Sequence, residues 1–239
     1  MSRTLVYLPV SPWSEKARWA LDHHRLEYRA VEHLPLVFEP ALRILGKRPF
    51  EKITVPMLFD AGEVFRDSLE IARHADAVGA GDKLFAREAE VLAMNDLAER
   101  FMFAARARLL PRLAADREAL AESLPTPMRL ASPVFVPVAR RVTRYLIDKY
   151  GRERAPAETE SAMTKILDHV ATLVAKGDYL VGDAFSFADV AMSCALGFVK
   201  PHAKATLGPA NRRVFSDDGM ASEYGRLLDW RDRIVLRHR

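Results

Sequence analysis

Residues 11–21 have the sequence SPWSEKARWAL, and they decide how the rest of the chain is interpreted. The short apolar run at 5–8 comes just before them and predicts a strand. Ser11 suits the N-cap of a helix, and Pro12 suits its first turn, where the amide that proline lacks is not needed. A strand that delivers a hydroxyl to a helix N-terminus forms an anion site, because the free amides and the helix dipole point at it.

The same arrangement of strand, proline and helix is found in thioredoxin-like redox sites, where two cysteines occupy the positions of Ser11 and Ser14. This chain contains a single cysteine, Cys194, far away in the sequence. Chemistry between two thiols of the same chain is therefore excluded. Any thiol used at residues 11–14 must arrive with a ligand.

Composition limits the classes of function. The 239 residues are 28% charged and 49% hydrophobic, an ordinary balance for a soluble globular chain of one or two domains. The net charge of +4 is small and interspersed, so we expect no nucleic-acid partner. We expect a solvated face at the basic C-terminal end, which consists of Arg231, Arg233, Arg237, His238 and Arg239. No apolar run is long enough for a membrane span, and no export signal is recognised. Together with the single cysteine, this indicates a cytoplasmic protein without a membrane partner.

The first eighty residues show the pattern β-α-β-α-β-β-α. A turn at 60–62 predicts a hairpin, and Asp67 and Ser68 cap the helix that follows. Beyond residues 5–8 and 11–21, the strands are predicted at 26–32, 54–59 and 63–66, and the helices at 38–45 and 69–78.

A glycine-rich linker at 79–82 divides the chain into predicted domains of residues 1–79 and 84–239. The second domain shows only helical periodicity, which a proline-bearing segment at 123–137 interrupts. Ser186 and Asp189 form a reciprocal capping box at the start of a nearly all-apolar helix, which predicts a central position for that helix. The helices are predicted at 85–113, 138–150, 157–176, 187–198 and 221–238.

These residues resemble the cytosolic glutathione transferases over nearly the whole chain. Three motifs carry the resemblance, together with the capping box at 186–189: the serine stretch at 11–21, the pair Val55-Pro56 where the family has a cis-proline, and Asp67-Ser68. The resemblance implies an α/β thioredoxin-like N-terminal domain followed by an all-α C-terminal domain.

The resemblance also implies an activity. Glutathione would be the cosubstrate, without a metal, and its thiolate would be conjugated to an apolar electrophile at a site between the two domains of a homodimer, as in detoxification. Ser11 is the first candidate for the hydrogen-bond donor to the thiolate, and Tyr7 is the rival candidate. The structural alternatives are that Ser11 only caps its helix and that Tyr7 packs in the sheet. Two functional alternatives are a glutathione-dependent isomerase or dehalogenase and a non-catalytic binding or scaffold protein.

The resemblance further assigns glutathione-binding residues. Trp13 is one of them. If Pro56 is cis, the backbone of Val55 would pair with the cysteinyl part of glutathione like an added strand. Ser68, at a helix N-terminus, suits the carboxylate of the γ-glutamyl end, and Asp67 suits its ammonium group. The alternatives here are an ordinary trans-proline and a plain N-cap pair.

Overall fold

A computed structural model describes residues 3–33, 42–44, 54–150 and 156–239 of the chain. The chain forms two compact units, Met1–Phe85 and Ala86–Arg239. The first is a small mixed sheet with helices and the second is helical, so the expected thioredoxin-like and all-α architecture is confirmed. The domain limits predicted from the sequence, 1–79 and 84–239, stay a prediction.

The first unit is built on a four-stranded sheet in the order β2-β1-β3-β4. β1 is parallel to β2 and antiparallel to β3, and β3 is antiparallel to β4. Leu5 of β1 and Leu58 of β3 are fully buried, and α1 packs against α2. The elements are β1 Thr4–Tyr7, α1 Pro12–His23, β2 Arg29–Glu32, β3 Met57–Asp60, β4 Glu63–Phe65 and α2 Ser68–Val78.

The predicted hairpin between β3 and β4 is confirmed. Asp60 pairs with Glu63, so Ala61 and Gly62 alone form the turn. Both have positive φ, +50° and +86°, as a type I′ hairpin turn requires. The strand predicted at 54–59 begins only at Met57. Of the helix predicted at 38–45, residues 42–44 are helical and the rest lies outside the described residues.

The second unit is helical throughout its described part. Every residue of α8 is buried, and α8 packs against α3 and α11, so its predicted central position is confirmed. In the described ranges, we find no helix with the length and apolar character needed to cross a bilayer. The helices are α3 Glu88–Ala115, α4 Arg117–Glu122, α5 Thr126–Arg129, α6 Ser132–Tyr150, α7 Pro156–Val174, α8 Phe187–Ala195, α9 Pro209–Phe215, α10 Asp218–Glu223 and α11 Gly225–His238, with a 3₁₀ turn at Leu196–Phe198.

The helical interruption predicted at 123–137 is wrong for most of that segment. α5 forms inside it, and α6 begins at Ser132 and continues through Pro137. A proline in the first turn of a helix costs no hydrogen bond, because the amides there have no partner within the helix. Pro137 lies beyond the first turn of α6, so the helix lacks one backbone hydrogen bond at this position. Packing of α6 against α3 and α4 offsets that loss, and such packing is not visible in the local sequence.

The prediction that the basic C-terminal end is solvated is wrong for Arg231. Its side chain is 1% exposed, and its guanidinium donates to the carbonyl of Lys200 at 2.7 Å. Burial lowers the pKa of Arg231 from its ordinary value, while the neighbouring Asp232 carboxylate, 2.6 Å away, acts in the opposite direction. Arg231 therefore ties α11 to the chain that follows α8.

Candidate functional site

The Ser11 hydroxyl lies in the short segment that connects the end of β1 to the start of α1. The Ser11 amide donates to the Leu8 carbonyl at 3.1 Å, which turns the chain after the strand. The backbone of Ser11 is extended, and its hydroxyl accepts the Ser14 amide at 3.4 Å as the N-cap of α1. Ser11 is half-buried, and its hydroxyl proton has no acceptor among the described residues. The hydroxyl therefore caps the helix as an acceptor and retains a proton that it can donate.

Ser14 holds the loop that presents Ser11. Its side chain is 1% exposed, and its oxygen accepts the Leu8 amide at 3.1 Å. The bond joins the end of the β1 segment to the first turn of α1. The two serines of this turn therefore differ in burial. Ser14 is buried and holds the loop in place, whereas Ser11 is half-buried.

Tyr7 is the last residue of β1 and is half-buried. Its carbonyl accepts the His33 amide at 2.7 Å, beyond the pairing with β2. The Arg18 guanidinium of α1 lies 5.4 Å from the centre of the Tyr7 ring, within cation–π range. Its phenol has no hydrogen-bond partner among the described residues. The packing of the ring against α1 accounts for Tyr7 structurally, and its catalytic role stays a prediction.

Two further predicted residues lie just before β3. The Val55–Pro56 peptide bond is cis, as the resemblance implied. Pro56 is buried and Val55 is half-buried. Among the described residues, no backbone hydrogen bond involves Val55. Trp13, the last predicted glutathione contact in this region, is half-buried in the first turn of α1.

Asp67 and Ser68 begin α2, so the predicted N-cap is confirmed. One oxygen of Asp67 accepts the amides of Leu69 and Glu70, both at 2.8 Å. The Glu70 carboxylate in turn accepts the Arg66 amide at 2.7 Å. Asp67 is exposed, and its second oxygen has no partner among the described residues, whereas Ser68 is buried. The roles of both residues towards a ligand stay predictions.

An ionic cluster that the sequence did not reveal braces the sheet of the first unit. The Asp60 carboxylate at the end of β3 accepts from Arg3 and from His74 of α2, each at 2.8 Å. Burial pushes the pKa of Asp60 up, but these hydrogen bonds outweigh burial and hold it below its ordinary value. The partners are 57 and 14 residues away in the sequence, so no local pattern announces them.

Metal-ligand groupings are absent from the described residues: no three or more His, Cys, Asp or Glu side chains come together there in a way that could hold an ion.

Comparison with known proteins identified related domains in both units. The family model for the N-terminal domain of glutathione S-transferase matches residues 10–78, and the model for the C-terminal domain matches residues 128–237. A search among curated proteins found no match.

Solved structures with a similar fold include three from bacteria. A glutathione S-transferase from Methylobacillus flagellatus, with glutathione bound, has a TM-score of 0.64 at 18% identity, over 99% of this chain and 95% of its own. The β-etherase LigF from Sphingobium sp. strain SYK-6 has a TM-score of 0.63 at 18% identity, over 99% and 96%. FzlA from C. crescentus has a TM-score of 0.55 at 19% identity, over 100% and 93%. At these identities the likeness establishes the fold alone.

Proposed function

The chain belongs to the glutathione S-transferase family, and from this premise we propose that it binds glutathione and transfers the glutathione thiolate to an apolar electrophile. In this reaction the thiol loses its proton to solvent, and the sulfur forms a bond to an electrophilic carbon. The leaving group departs from that carbon with the bonding electron pair. Glutathione is thus a cosubstrate that supplies the thiol this chain lacks at residues 11–14.

The observation that carries the proposal is the uncommitted proton of the Ser11 hydroxyl at the N-terminus of α1. An ordinary thiol has a pKa of about 8.5, and the thiolate is the nucleophile. Lowering that pKa by about two units requires about 2.7 kcal/mol of extra stabilisation of the anion. A hydrogen bond to a charged group supplies about 1.5–3 kcal/mol. A single hydroxyl at a helix N-terminus is therefore sufficient in magnitude.

The remaining predicted residues suit the other parts of the tripeptide. The backbone of Val55, without a partner among the described residues, is suited to pair with the cysteinyl amide and carbonyl of glutathione. The start of α2 at Ser68 favours the γ-glutamyl carboxylate, because amides at a helix N-terminus attract anions. The second carboxylate oxygen of Asp67 is available for the ammonium group. Trp13, half-buried in the first turn of α1, is the remaining proposed contact to glutathione.

The first experiment is a calorimetric titration of the protein with glutathione, followed by a spectroscopic pH titration of the bound thiol. We expect saturable binding and a bound thiol whose pKa lies about two units below 8.5. Ser11→Ala is expected to bind glutathione while the thiol pKa returns towards its ordinary value. An absence of binding at millimolar glutathione would overturn the transferase proposal and favour a non-catalytic member of the family.

Two further variants complete the design. Tyr7→Phe removes the rival phenol, and the variant that raises the thiol pKa identifies the donor. Ser161→Ala is the matched control, because it removes an exposed serine hydroxyl from α7 in the second unit. We expect Tyr7→Phe and Ser161→Ala to leave the thiol pKa unchanged. The reverse result for Tyr7 would transfer the role to the phenol.

We extend the proposal to a cytoplasmic homodimer acting in detoxification. The single, buried Cys194 suits a reducing compartment. The dimer rests on the resemblance to the family, and sedimentation of the purified protein tests it directly: a concentration-independent monomer would overturn it.

A further inference from the structure

A groove of about 690 Å³ lies within the second unit, beside α6 and the start of α4. It is large enough for a ligand of substantial size, since binding clefts commonly measure about 300–1,000 Å³. Four arginines line it: Arg117 of α4 and Arg140, Arg141 and Arg144 of α6. The groove is therefore strongly cationic in a chain whose net charge is only +4.

These arginines have no carboxylate partner among the described residues. Arg117, Arg141 and Arg144 are exposed. Arg140 is half-buried, and its Nε has lost contact with solvent without gaining a hydrogen bond in the described part of the chain. Guanidinium groups held close together without counter-ions repel one another, and an anionic ligand would relieve that repulsion.

The carboxylates nearest to Arg117 in sequence are already engaged elsewhere. Arg213 binds Asp116 at 2.8 Å and Glu118 at 3.2 Å. Glu122 accepts two backbone amides at the start of α9, at 2.7 and 3.0 Å. The fold thus uses the acidic residues of the α4 region to hold α9, and within the described part of the chain the arginines of the groove have no carboxylate partner.

The rest of the groove lining is apolar, and two exposed apolar residues lie beside it in the sequence. Pro133, Val136 and Pro137 line the groove at the N-terminal end of α6. Next to them along the chain, Leu130 is 97% exposed and Val134 is 70% exposed. Exposed apolar side chains mark a contact surface when they form a contiguous patch. Along α6 the groove lining therefore changes from apolar near its N-terminal end to cationic farther along the helix.

We infer that this groove binds an acidic segment of a partner protein, in which an apolar side chain adjoins several carboxylates. The lining of α6 extends from Pro133 to Arg144, which corresponds to about 16 Å at 1.5 Å per helical residue. That length exceeds a single phosphate or carboxylate and suits a few residues of peptide. Arginine clusters recognise acidic motifs, and apolar pockets provide the anchor. The inference is independent of the glutathione proposal, because it uses other residues and is measured without glutathione.

The test is fluorescence anisotropy with a panel of short labelled peptides that combine leucines with a run of glutamates placed before or after them. The control peptides replace every glutamate with glutamine. We expect saturable binding of an acidic peptide, weakened by salt, and much weaker binding of its glutamine counterpart. If no acidic peptide binds below about 1 mM, or if the glutamine peptides bind equally well, the inference is wrong.

The decisive variant is Arg141→Glu combined with Arg144→Glu, which reverses two exposed charges of the groove. We expect it to weaken binding of the acidic peptide by at least about tenfold and to accept a lysine-containing peptide instead. The matched control is Arg226→Glu combined with Arg233→Glu on α11, which makes the same change in net charge outside the groove. Equal loss in both double variants would mean that only the net charge matters, and would overturn the inference.

Other occupants are distinguished in the same assay. Inorganic phosphate that displaces the peptide at micromolar concentration would assign the groove to a free anion. Binding to vesicles of anionic phospholipid that the Arg141/Arg144 double variant abolishes, without peptide binding, would assign it to a membrane surface. A change of oligomeric state in that variant, without peptide binding, would assign it to a second copy of the chain. Each of these results contradicts the acidic-segment inference.

Discussion

The helices α1 and α8 both begin at a serine, and the two serines are used in opposite ways. Ser186 is buried, and its amide and hydroxyl both donate to one oxygen of Asp189, at 2.9 and 3.0 Å. The other oxygen of Asp189 accepts the Leu180 amide at 2.9 Å. Ser11 is half-buried; its amide donates to the Leu8 carbonyl at 3.1 Å, and its hydroxyl accepts one long bond, 3.4 Å, from the Ser14 amide.

The difference separates a structural helix start from one that can bind a ligand. At α8 both donors of Ser186 meet the Asp189 carboxylate inside the protein, so the start of the helix is closed. At α1 the hydroxyl proton of Ser11 has no acceptor among the described residues, so the start is open, and the helix dipole favours an anion there. A thiolate at the start of α1 would accept the hydrogen bond of the Ser11 hydroxyl, as the Asp189 carboxylate accepts that of the Ser186 hydroxyl at α8.

The start of α8 also contains a carboxyl group, that of Asp189, whose pKa is shifted. Burial raises the pKa of Asp189 to about 6, although the hydrogen bonds from Leu180 and Ser186 act against that shift. The carboxylate is therefore a buried charge above about pH 6, held by its three donors.

Among changes at the helix starts, replacing Asp189 with alanine should lower the free energy of unfolding the most. Asp189→Ala leaves the buried amides of Leu180 and Ser186 without acceptors, and each such loss costs about 1–3 kcal/mol. We expect the free energy of unfolding to fall by about 3–4 kcal/mol in denaturant titrations. Asp183→Ala, which removes an exposed carboxylate just before α8, is the control and should change little. A fall below about 1 kcal/mol for Asp189→Ala would mean that the start of α8 is not closed.

The pH dependence of stability should show the titration of Asp189. The folded pKa of about 6 lies above the unfolded value of 3.8, so the native state binds a proton that the unfolded chain releases. Unfolding free energy should therefore fall as pH rises from about 4 to about 6, by about 2–3 kcal/mol, and then level off. The measurement is the difference between the wild type and Asp189→Asn across this range. If the unfolding free energy of the wild type rose with pH relative to that of Asp189→Asn, the pKa of Asp189 would not be raised in the folded state.

At the open start, we expect activity to change more than stability. Ser11→Gly should cost only a few tenths of a kcal/mol of stability, because glycine is tolerated at an N-cap, whereas Ser11→Ala should cost about 0.5–2 kcal/mol. Both should lower kcat/KM for glutathione transfer near pH 6.5 by about 10- to 100-fold, since both lose the same hydrogen bond. If Ser11→Gly kept the full rate, the hydroxyl would serve only the helix.

The start of α2 should give the smallest effect. Asp67→Asn preserves the N-cap, because asparagine caps as well as aspartate, and it removes only the charge. We expect stability to change by less than about 0.5 kcal/mol and glutathione affinity to weaken about two- to fivefold, as for an exposed ion pair. Calorimetry and thermal unfolding of the same sample separate the two effects. A large loss of stability would show that the charge itself holds α2.

Local patterns predicted the helix starts at Ser11, Asp67 and Ser186 and the hairpin with its turn at 60–62. Each depends on groups within about four residues of one another, so the pattern is contained in the sequence. The continuation of α6 through Pro137 and the burial of Arg231 were missed. Both result from packing partners that lie far away along the chain.

The amino-acid sequence by itself determined where the capped helices begin, which residues could meet a thiol, and that this thiol must come from a ligand, because these properties follow from neighbouring residues and from composition. Only the tertiary structure decided which polar groups are already used. Ser14 is buried while Ser11 keeps its proton, and Arg213 takes the carboxylates beside Arg117. Arg213 and Asp116, for example, lie 97 positions apart along the chain, so only the folded chain settles their pairing.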